Sequence, residues 1–321
     1  QVFSTHPLHP DVTARLQAAA DYRVASAPSP GAILAQGCDA SVLIVRAPIP
    51  SAYFAQAPGL RAAVRHGAGL DMIPLQSATA AGVVVANVPG VNASTVAEHV
   101  FFAAISLLRQ FRAMDRALRQ DGWSKGHSFA DHGSDLGGKT RGILWFGNIG
   151  QALYRAALGF GMQIAATTRR PGSLPLDVQV LSMDQLAASA DVLVICCPLT
   201  EATKGAICAA RIALMKPGAV PINVARGPIV DTPALTRALQ SRRIAGAAPD
   251  VFDSQPLPET SPLWALDNVI LTPHMAGITQ DSMLRMGNGG ADEALRILNG
   301  ALPMNFCNPQ VEPACRARFP A

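Results

Sequence analysis

Short apolar runs alternate with stretches of helical periodicity along nearly the whole chain, the pattern of parallel strands joined by crossover helices. A first series holds Ser41-Val-Leu-Ile-Val45, Leu60-Arg-Ala-Ala-Val-Arg65 and Val83-Val-Val-Ala86. A second holds the runs at 142–146, 164–167, 192–196, 220–224, 244–248 and 269–271. Between the series the spacing predicts one long helix over 94–120. Another, over 280–299, leads to a tail containing Pro303-Met-Asn-Phe that is expected to return to the first series. The pattern predicts an α/β protein of two doubly wound parallel-sheet domains, one of them discontinuous. Pro221 and Pro249 fall inside predicted strands, where a missing N–H should weaken the ladder.

One apolar run turns sharply into a helical pattern: Gly142-Ile-Leu-Trp-Phe-Gly147-Asn-Ile-Gly150, followed by Gln151-Ala-Leu-Tyr-Arg-Ala-Ala-Leu. This is most of the fingerprint that cradles a dinucleotide pyrophosphate. Gly147 lets the backbone approach the anion, Gly150 lets the helix pack on the strand, and the Asn148 and Ile149 amides face the anion at the helix N-terminus. Trp145 stands where Gly-x-Gly-x-x-Gly has its first glycine. Its side chain is expected to leave the pyrophosphate path and its turn to differ from the glycine one, with strain on the order of 1 to 3 kcal/mol. Taken alone, the stretch fits a chance strand-turn-helix as well as a nucleotide site. A second run, Met162-Gln-Ile-Ala-Ala-Thr-Thr168-Arg169-Arg170, ends about 20 residues further on, where such folds read the adenosine ribose. A carboxylate there would accept from a free 2′-hydroxyl, whereas a hydroxyl followed by two guanidiniums suits a 2′-phosphate. A solvated basic loop would read the same way. For a dinucleotide site, NADP(H) is the preferred cofactor and NAD(H) a possible one.

Composition narrows the choice of class. The 321 residues suffice for two domains, and 49% hydrophobic with 15% charged content describes a folded chain rather than a disordered one. The net charge of +4 comes from scattered arginines and not from a basic run, which argues against nucleic acid as a partner. Cys38, Cys196, Cys197, Cys208, Cys307 and Cys315 lack zinc-ligand spacing, so no metal is expected and reduced thiols are the simplest reading. The first residues, Gln1-Val-Phe-Ser-Thr-His-Pro, lack a charged and then apolar leader, and nowhere do about 18 apolar residues run uninterrupted. A soluble cytoplasmic protein without a membrane partner is expected.

Seven segments in order then carry a family resemblance. They are Arg65-His-Gly-Ala-Gly-Leu-Asp71; Asn87-Val-Pro-Gly-Val-Asn92 with Val96-Ala-Glu-His99; Gly142 to Gly150; Pro198-Leu-Thr-Glu-Ala-Thr203; Ile222-Asn-Val-Ala-Arg226-Gly; Asp250-Val-Phe-Asp-Ser-Gln255-Pro; and Leu271-Thr-Pro-His274. The chain resembles the D-isomer-specific 2-hydroxyacid dehydrogenases, the group of phosphoglycerate dehydrogenase and glyoxylate/hydroxypyruvate reductase. The resemblance implies a Rossmann-type cofactor domain over 96–283 inserted in a flavodoxin-like substrate domain over 1–95 and 284–321. It also implies hydride transfer between nicotinamide and a small 2-keto or 2-hydroxy acid, no required metal, and a homodimer formed through the long helix.

Reducing a 2-keto acid requires a cation for the carboxylate, a proton donor for the carbonyl oxygen and a hydride held near the carbonyl carbon. Arg226 falls at the end of an apolar run, where open α/β sheets bind ligands, and its planar fork suits a carboxylate; a surface arginine at a strand end would read alike. His274 is the natural acid in reduction and base in oxidation. His99 is read as packing on the long helix. Gln255 stands where the family usually has the Glu that pairs with the catalytic His, and formate dehydrogenases of the same superfamily resemble this chain in having Gln. A neutral amide orients an imidazole without stabilising its charge, and Asp253 would share a face with Gln255 in an extended segment, as an alternative partner. The resemblance further implies cofactor contacts from Pro198, Thr203, Val224 and Asp250, and substrate contacts from Arg46, Gly67, Ala68, Gly69 and Asn92. The Gly67-Ala68-Gly69 loop would present backbone amides to a carboxylate. Arg46 would hold an anion at C3, or else be a solvated strand-end residue. A cleft between the domains is the default ligand site.

Two readings of different class follow. Arg226 and His274 favour a reductase of hydroxypyruvate or glyoxylate with NADPH preferred. Trp145 and Gln255 favour a dinucleotide-binding protein of low turnover, like the family relatives that act as transcriptional co-repressors. Phosphoglycerate- or formate-dehydrogenase-like activity is a further alternative.

Overall fold

Residues 1–318 are described by the computed structural model, which divides into two units. Gln1–Asn92 with the return from Ile278 form the first, and Ala93–Gly277 the second.

In the first unit, β1 (Val2–Ser4), β2 (Tyr22–Val24), β3 (Val42–Val45), β4 (Ala62–Arg65) and β5 (Val84–Ala86) make a wholly parallel sheet in the order β2-β1-β3-β4-β5. This is the flavodoxin-like winding. All four residues of β3 are buried, as a continuous Val-Leu-Ile-Val run covered on both faces requires. The helix Gln280–Leu298 opens on a capping box between Thr279 and Ser282 and packs on β3 and β4. The tail after it returns to this sheet: Phe306 bridges Ala86, Cys307 N donates to Val85 O, and the fully buried Asn308 accepts from Val85 N while donating to Val83 O and Thr79 Oγ1.

The second unit contains β6 (Thr140–Leu144), β7 (Gln163–Thr167), β8 (Val178–Val180), β9 (Val192–Ile195), β10 (Val220–Asn223) and β11 (Ala248–Pro249), parallel and in the order β11-β10-β9-β6-β7-β8. Counted from β6, that is the 3-2-1-4-5-6 Rossmann order, with its switch point between β6 and β9. The loops leaving these two strands carry Trp145–Gly147 and Cys196–Pro198.

The long helix is broken where the spacing predicts continuity. Ala93–Leu108 and Phe111–Asp121 are separated at Gln110, whose φ of 49° lies in the left-handed region and ends the first helix. The predicted strand at 244–248 shrinks to Ala248–Pro249, and 269–271 contributes only a bridge between Ala247 and Val269. Two prolines account for this. Ala245 N donates to Ala219 O, so the parallel pattern would next need an N–H at position 221, which Pro221 lacks; the Asn268 side-chain amide reaches Ala245 O instead. Pro249 likewise offers no donor towards 269–271.

Arg141 is an unforeseen core residue. It is fully buried in β6 with its guanidinium 3.7 Å from the centre of the Phe101 ring, which itself stacks on Phe160. Its three guanidinium nitrogens have no hydrogen-bond partner among the described residues, and burial pushes its pKa down to about 9.

Candidate active site

In the second unit the chemistry collects on the loops after β10 and β11. Asn223, at the end of β10 and 5% exposed, accepts from Ala225 N and donates to Arg226 O, which fixes the turn that carries Arg226. Gly227 follows because nothing larger fits: a Cβ there would lie 2.0 Å from Phe252 C and 2.3 Å from Asp253 N. The Arg226 turn is thereby pressed against the segment that leads to Gln255.

Gln255 Oε1 lies 3.0 Å from His274 Nδ1. A carbonyl oxygen only accepts, so Nδ1 carries the hydrogen in this bond, and Nε2 becomes the atom able to gain or give a proton. Asp253, the alternative partner, accepts instead from Thr232 Oγ1 at 2.8 Å. His274 itself sits at φ 56°, a left-handed conformation rare for a side-chain-bearing residue. Asp250 holds it there. The Asp250 carbonyl accepts from His274 N at 2.7 Å, and its 1%-exposed carboxylate accepts from Thr272 Oγ1 (2.6 Å), Met275 N (2.8 Å) and Ala276 N (2.9 Å). His99 Nε2 lies 3.4 Å from the same Thr272 hydroxyl, and burial lowers its pKa, opposed by the Asp250 charge.

At the switch point Gly150 is closely packed, since a Cβ would meet Trp145 O at 3.1 Å and Ile143 Cγ2 at 3.3 Å. Gly147 N donates to Trp145 O, which leaves the Asn148 and Ile149 amides at the start of the helix Asn148–Leu158 to face an anion. This backbone fits a pyrophosphate. The Trp145 turn does not differ from a glycine turn as expected: the residue adopts φ 83°, and its indole lies beside Gly147 rather than away from it. The strand pairings on both sides of β6 leave the chain little choice but the glycine path. Beyond β7, Thr168 Oγ1 accepts from Arg170 N, while the Arg169 guanidinium stacks on the Trp145 ring at 4.5 Å. Thr203 Oγ1 donates to Pro198 O (2.6 Å) and accepts from Thr200 N, closing the loop after β9, and Val224 N donates to Ile195 O.

The first unit supplies a second group of residues. Gly67, at φ 131°, donates its amide to Arg65 O, so of the expected loop amides those of Ala68 and Gly69 are left for an anion. Arg65 clamps the loop by donating to Gly69 O, Val45 O and His66 O, and Asn87 Nδ2 donates to Ala68 O. Arg46 follows β3 and donates to Pro7 O, with its amide on Thr5 Oγ1. Asn92 ends this segment immediately before the helix Ala93–Leu108. His66 is 3% exposed, and burial, with Arg46 and Arg65 adding to it, pushes its imidazole down to about 3. Asn223, Gly227, Arg65 and the loop-holding role of Asp250 were not evident in the sequence. The only signals were an Asn at a strand end and glycine or arginine beside residues already singled out.

Residues 101–276 match the model of the D-isomer specific 2-hydroxyacid dehydrogenase NAD binding domain. The chain is 35% identical over 278 residues to a glyoxylate reductase of Korarchaeum cryptofilum, covering 85% of this chain and 84% of that protein. Its fold superposes on a protein from Thermus thermophilus with TM-score 0.86 at 32% identity, covering 95% and 99% of the two chains. It also superposes on the NADPH-dependent glyoxylate/hydroxypyruvate reductase of Sinorhizobium meliloti in complex with NADP and malonate, with TM-score 0.82 at 28% identity and 95% of each chain covered. With more than half its length matching the family model and its sheets wound as that architecture demands, the chain belongs to the D-isomer specific 2-hydroxyacid dehydrogenase family.

Proposed function

We propose that this member of the family reduces a small 2-keto acid, hydroxypyruvate or glyoxylate, with NADPH preferred over NADH. The observation that carries the reading is the Gln255–His274 hydrogen bond, on a loop held by Asp250 and beside the turn of Arg226. The dinucleotide, when bound, supplies hydride to the carbonyl carbon. Arg226 grips the substrate carboxylate through its planar fork. His274 gives its Nε2 proton to the carbonyl oxygen, while Gln255 keeps the Nδ1 hydrogen and with it the ring orientation. Residues 96–283 serve the cofactor: Gly147, Asn148, Ile149 and Gly150 hold the pyrophosphate, Thr168, Arg169 and Arg170 the 2′-phosphate, and Pro198, Thr203 and Val224 line the remainder, with Asp250 acting through the loop it holds. Residues 1–95 and 284–321 serve the substrate through Arg46, Gly67, Ala68, Gly69 and Asn92.

The proposal includes a homodimer. Phe102, Ile105 and Phe111 are exposed on and just after the helix Ala93–Leu108, an apolar surface that a second copy would cover. Among the described residues no helix is long and apolar enough to cross a membrane, and no disulfide forms; a cytoplasmic setting completes the reading. The regulatory alternative draws on one observation, the indole of Trp145 beside Gly147.

A substrate panel of glyoxylate, hydroxypyruvate, larger 2-keto acids and formate, each with NADPH and NADH, tests the proposal. Turnover highest on a two- or three-carbon keto acid with NADPH is expected. Dinucleotide binding without turnover on any substrate would favour the regulatory alternative.

A further inference from the structure

We infer that the Trp145 indole is a built-in occupant of the dinucleotide cradle, held by Arg169, and that it swings out before any dinucleotide binds. The inference rests on the dinucleotide-binding reading above and goes beyond it.

The backbone of Trp145 is pinned. Its amide donates to Thr167 Oγ1 at 3.2 Å, and its carbonyl accepts from Gly147 N at 3.1 Å and from Cys196 Sγ at 3.3 Å. Only side-chain rotation is left to it. In its present rotamer the indole covers Gly147: a Cβ on that glycine would lie 3.4 Å from Trp145 Cδ1 and 3.6 Å from Nε1. The missing Cβ is what lets a pyrophosphate come close in this fold, so the indole edge fills that approach. The indole is partly buried against neighbouring core residues, and the Arg169 guanidinium lies 4.5 Å from its centre, at the strand end where the ribose is read. The indole thus spans the two points that an adenosine diphosphate moiety must join. Ring and ligand exclude each other.

Two consequences separate this device from an ordinary wall of the pocket. A closed state that no ligand tolerates weakens every dinucleotide by one common factor, leaving the ratio between them unchanged. Arg169, by contrast, changes partner, from the indole in the closed state to the 2′-phosphate in the open one. Removing its charge therefore loosens the closed state for NADH, while for NADPH it also deletes a contact.

Titration calorimetry with NADH and NADPH on the parent, Trp145→Gly, Arg169→Gln and the double variant reads these effects directly. Trp145→Gly is expected to tighten both dinucleotides by the same factor, about 2- to 5-fold or more if the cation–π contact is the smallest part of the closed state. Arg169→Gln is expected to tighten NADH by up to about 5-fold and to weaken NADPH, and its gain for NADH should vanish in the Trp145→Gly background. Weaker binding of both dinucleotides by Trp145→Gly would overturn the inference, for then the ring is part of the site. So would unchanged NADH affinity in Arg169→Gln, an exposed position where folding is not at stake. NADH and NADPH tightened by the same factor in Arg169→Gln would keep the swinging indole and remove the 2′-phosphate assignment. No binding by any variant would overturn the dinucleotide reading and this inference together.

Discussion

Gln255 Oε1 accepts the Nδ1 hydrogen of His274 across 3.0 Å, an uncharged amide where the family usually has a carboxylate. The amide fixes the tautomer and the ring plane but adds no charge to hold a proton on Nε2. Reduction consumes the protonated ring, so its rate falls as pH rises through the pKa of His274. Gln255→Glu is expected to shift this falling limb upward by about one pH unit, because a carboxylate favours the imidazolium. Rate profiles from pH 5 to 9 with one keto acid decide the matter. Superimposed profiles for parent and variant would remove Gln255 from its role. Asp253→Asn should leave the limb in place, since Asp253 is engaged by Thr232.

Asp250 reaches the chemistry through His274. Its carboxylate accepts three hydrogen bonds from Thr272, Met275 and Ala276, and its carbonyl a fourth from His274 N. In Asp250→Asn one amide hydrogen must face a donor, which should cost about 1 to 3 kcal/mol of stability and release the left-handed His274. A fall in kcat of about tenfold or more is expected, with calorimetric dinucleotide affinity within about twofold of the parent. A main loss in dinucleotide affinity instead would mark Asp250 as a direct cofactor contact.

Arg226→Lys tests the carboxylate fork. A point ammonium on a flexible stem cannot reproduce two parallel N–H donors, so kcat/KM for every accepted keto acid should fall by about 100-fold while dinucleotide binding stays near the parent value. Near-parent kcat/KM on any of them would contradict the assignment.

The repeating features of the fold were legible because both sheets are parallel and buried, which writes each strand as an apolar run and each crossover as helical spacing. Gln110 was not legible: nothing in Leu107-Leu-Arg-Gln-Phe111 announces a left-handed residue, and the helix break there depends on the packing of its neighbours. Pro221 and Pro249 did announce trouble in their ladder, and the structure meets it by shortening β11 and using Asn268. At the site, residue types showed which chemistry was present but not how it was used. Asp250 read as a cofactor contact, and its hold on the loop under His274 was not legible, because hydrogen bonding between segments more than twenty residues apart leaves no periodic trace.

Arg141 should make this protein less stable than its core would otherwise allow. Burial moves its pKa from the usual guanidinium range to about 9, and at neutral pH the charge is still present, over a single aromatic ring. Arg141→Met keeps most of the volume and removes the charge. Offset by the lost cation–π contact, the variant is expected to gain about 2 to 4 kcal/mol. For a chain of this size that corresponds to a rise in Tm of about 3 to 6 °C by calorimetry. The sign also predicts a pH signature: the penalty is complete below about pH 9 and eases above it as the folded state sheds the proton, so the advantage of Arg141→Met should shrink between pH 9 and 10.5. A variant less stable than the parent at pH 7 would show that the guanidinium contributes net stability.

His66 sets the acid limit of the first unit. Its imidazole is 3% exposed, has no hydrogen-bond partner for Nε2 among the described residues, and is pushed down to about 3 by burial, with Arg46 and Arg65 adding to the shift. The folded protein therefore holds the ring neutral, while the unfolded chain takes up a proton near the ordinary histidine pKa. Between about pH 6.5 and 3 the unfolded state binds more protons, and stability falls as pH falls through that window. By pH 5 the loss from this one residue should reach about 2 kcal/mol relative to pH 7. His66→Leu, which keeps the volume and cannot titrate, is expected to abolish that part of the loss. Urea denaturation of parent and variant at pH 7 and pH 5 measures the difference. Equal losses in both proteins would mean that His66 becomes protonated without unfolding, and that the Arg65 loop has room for its charge.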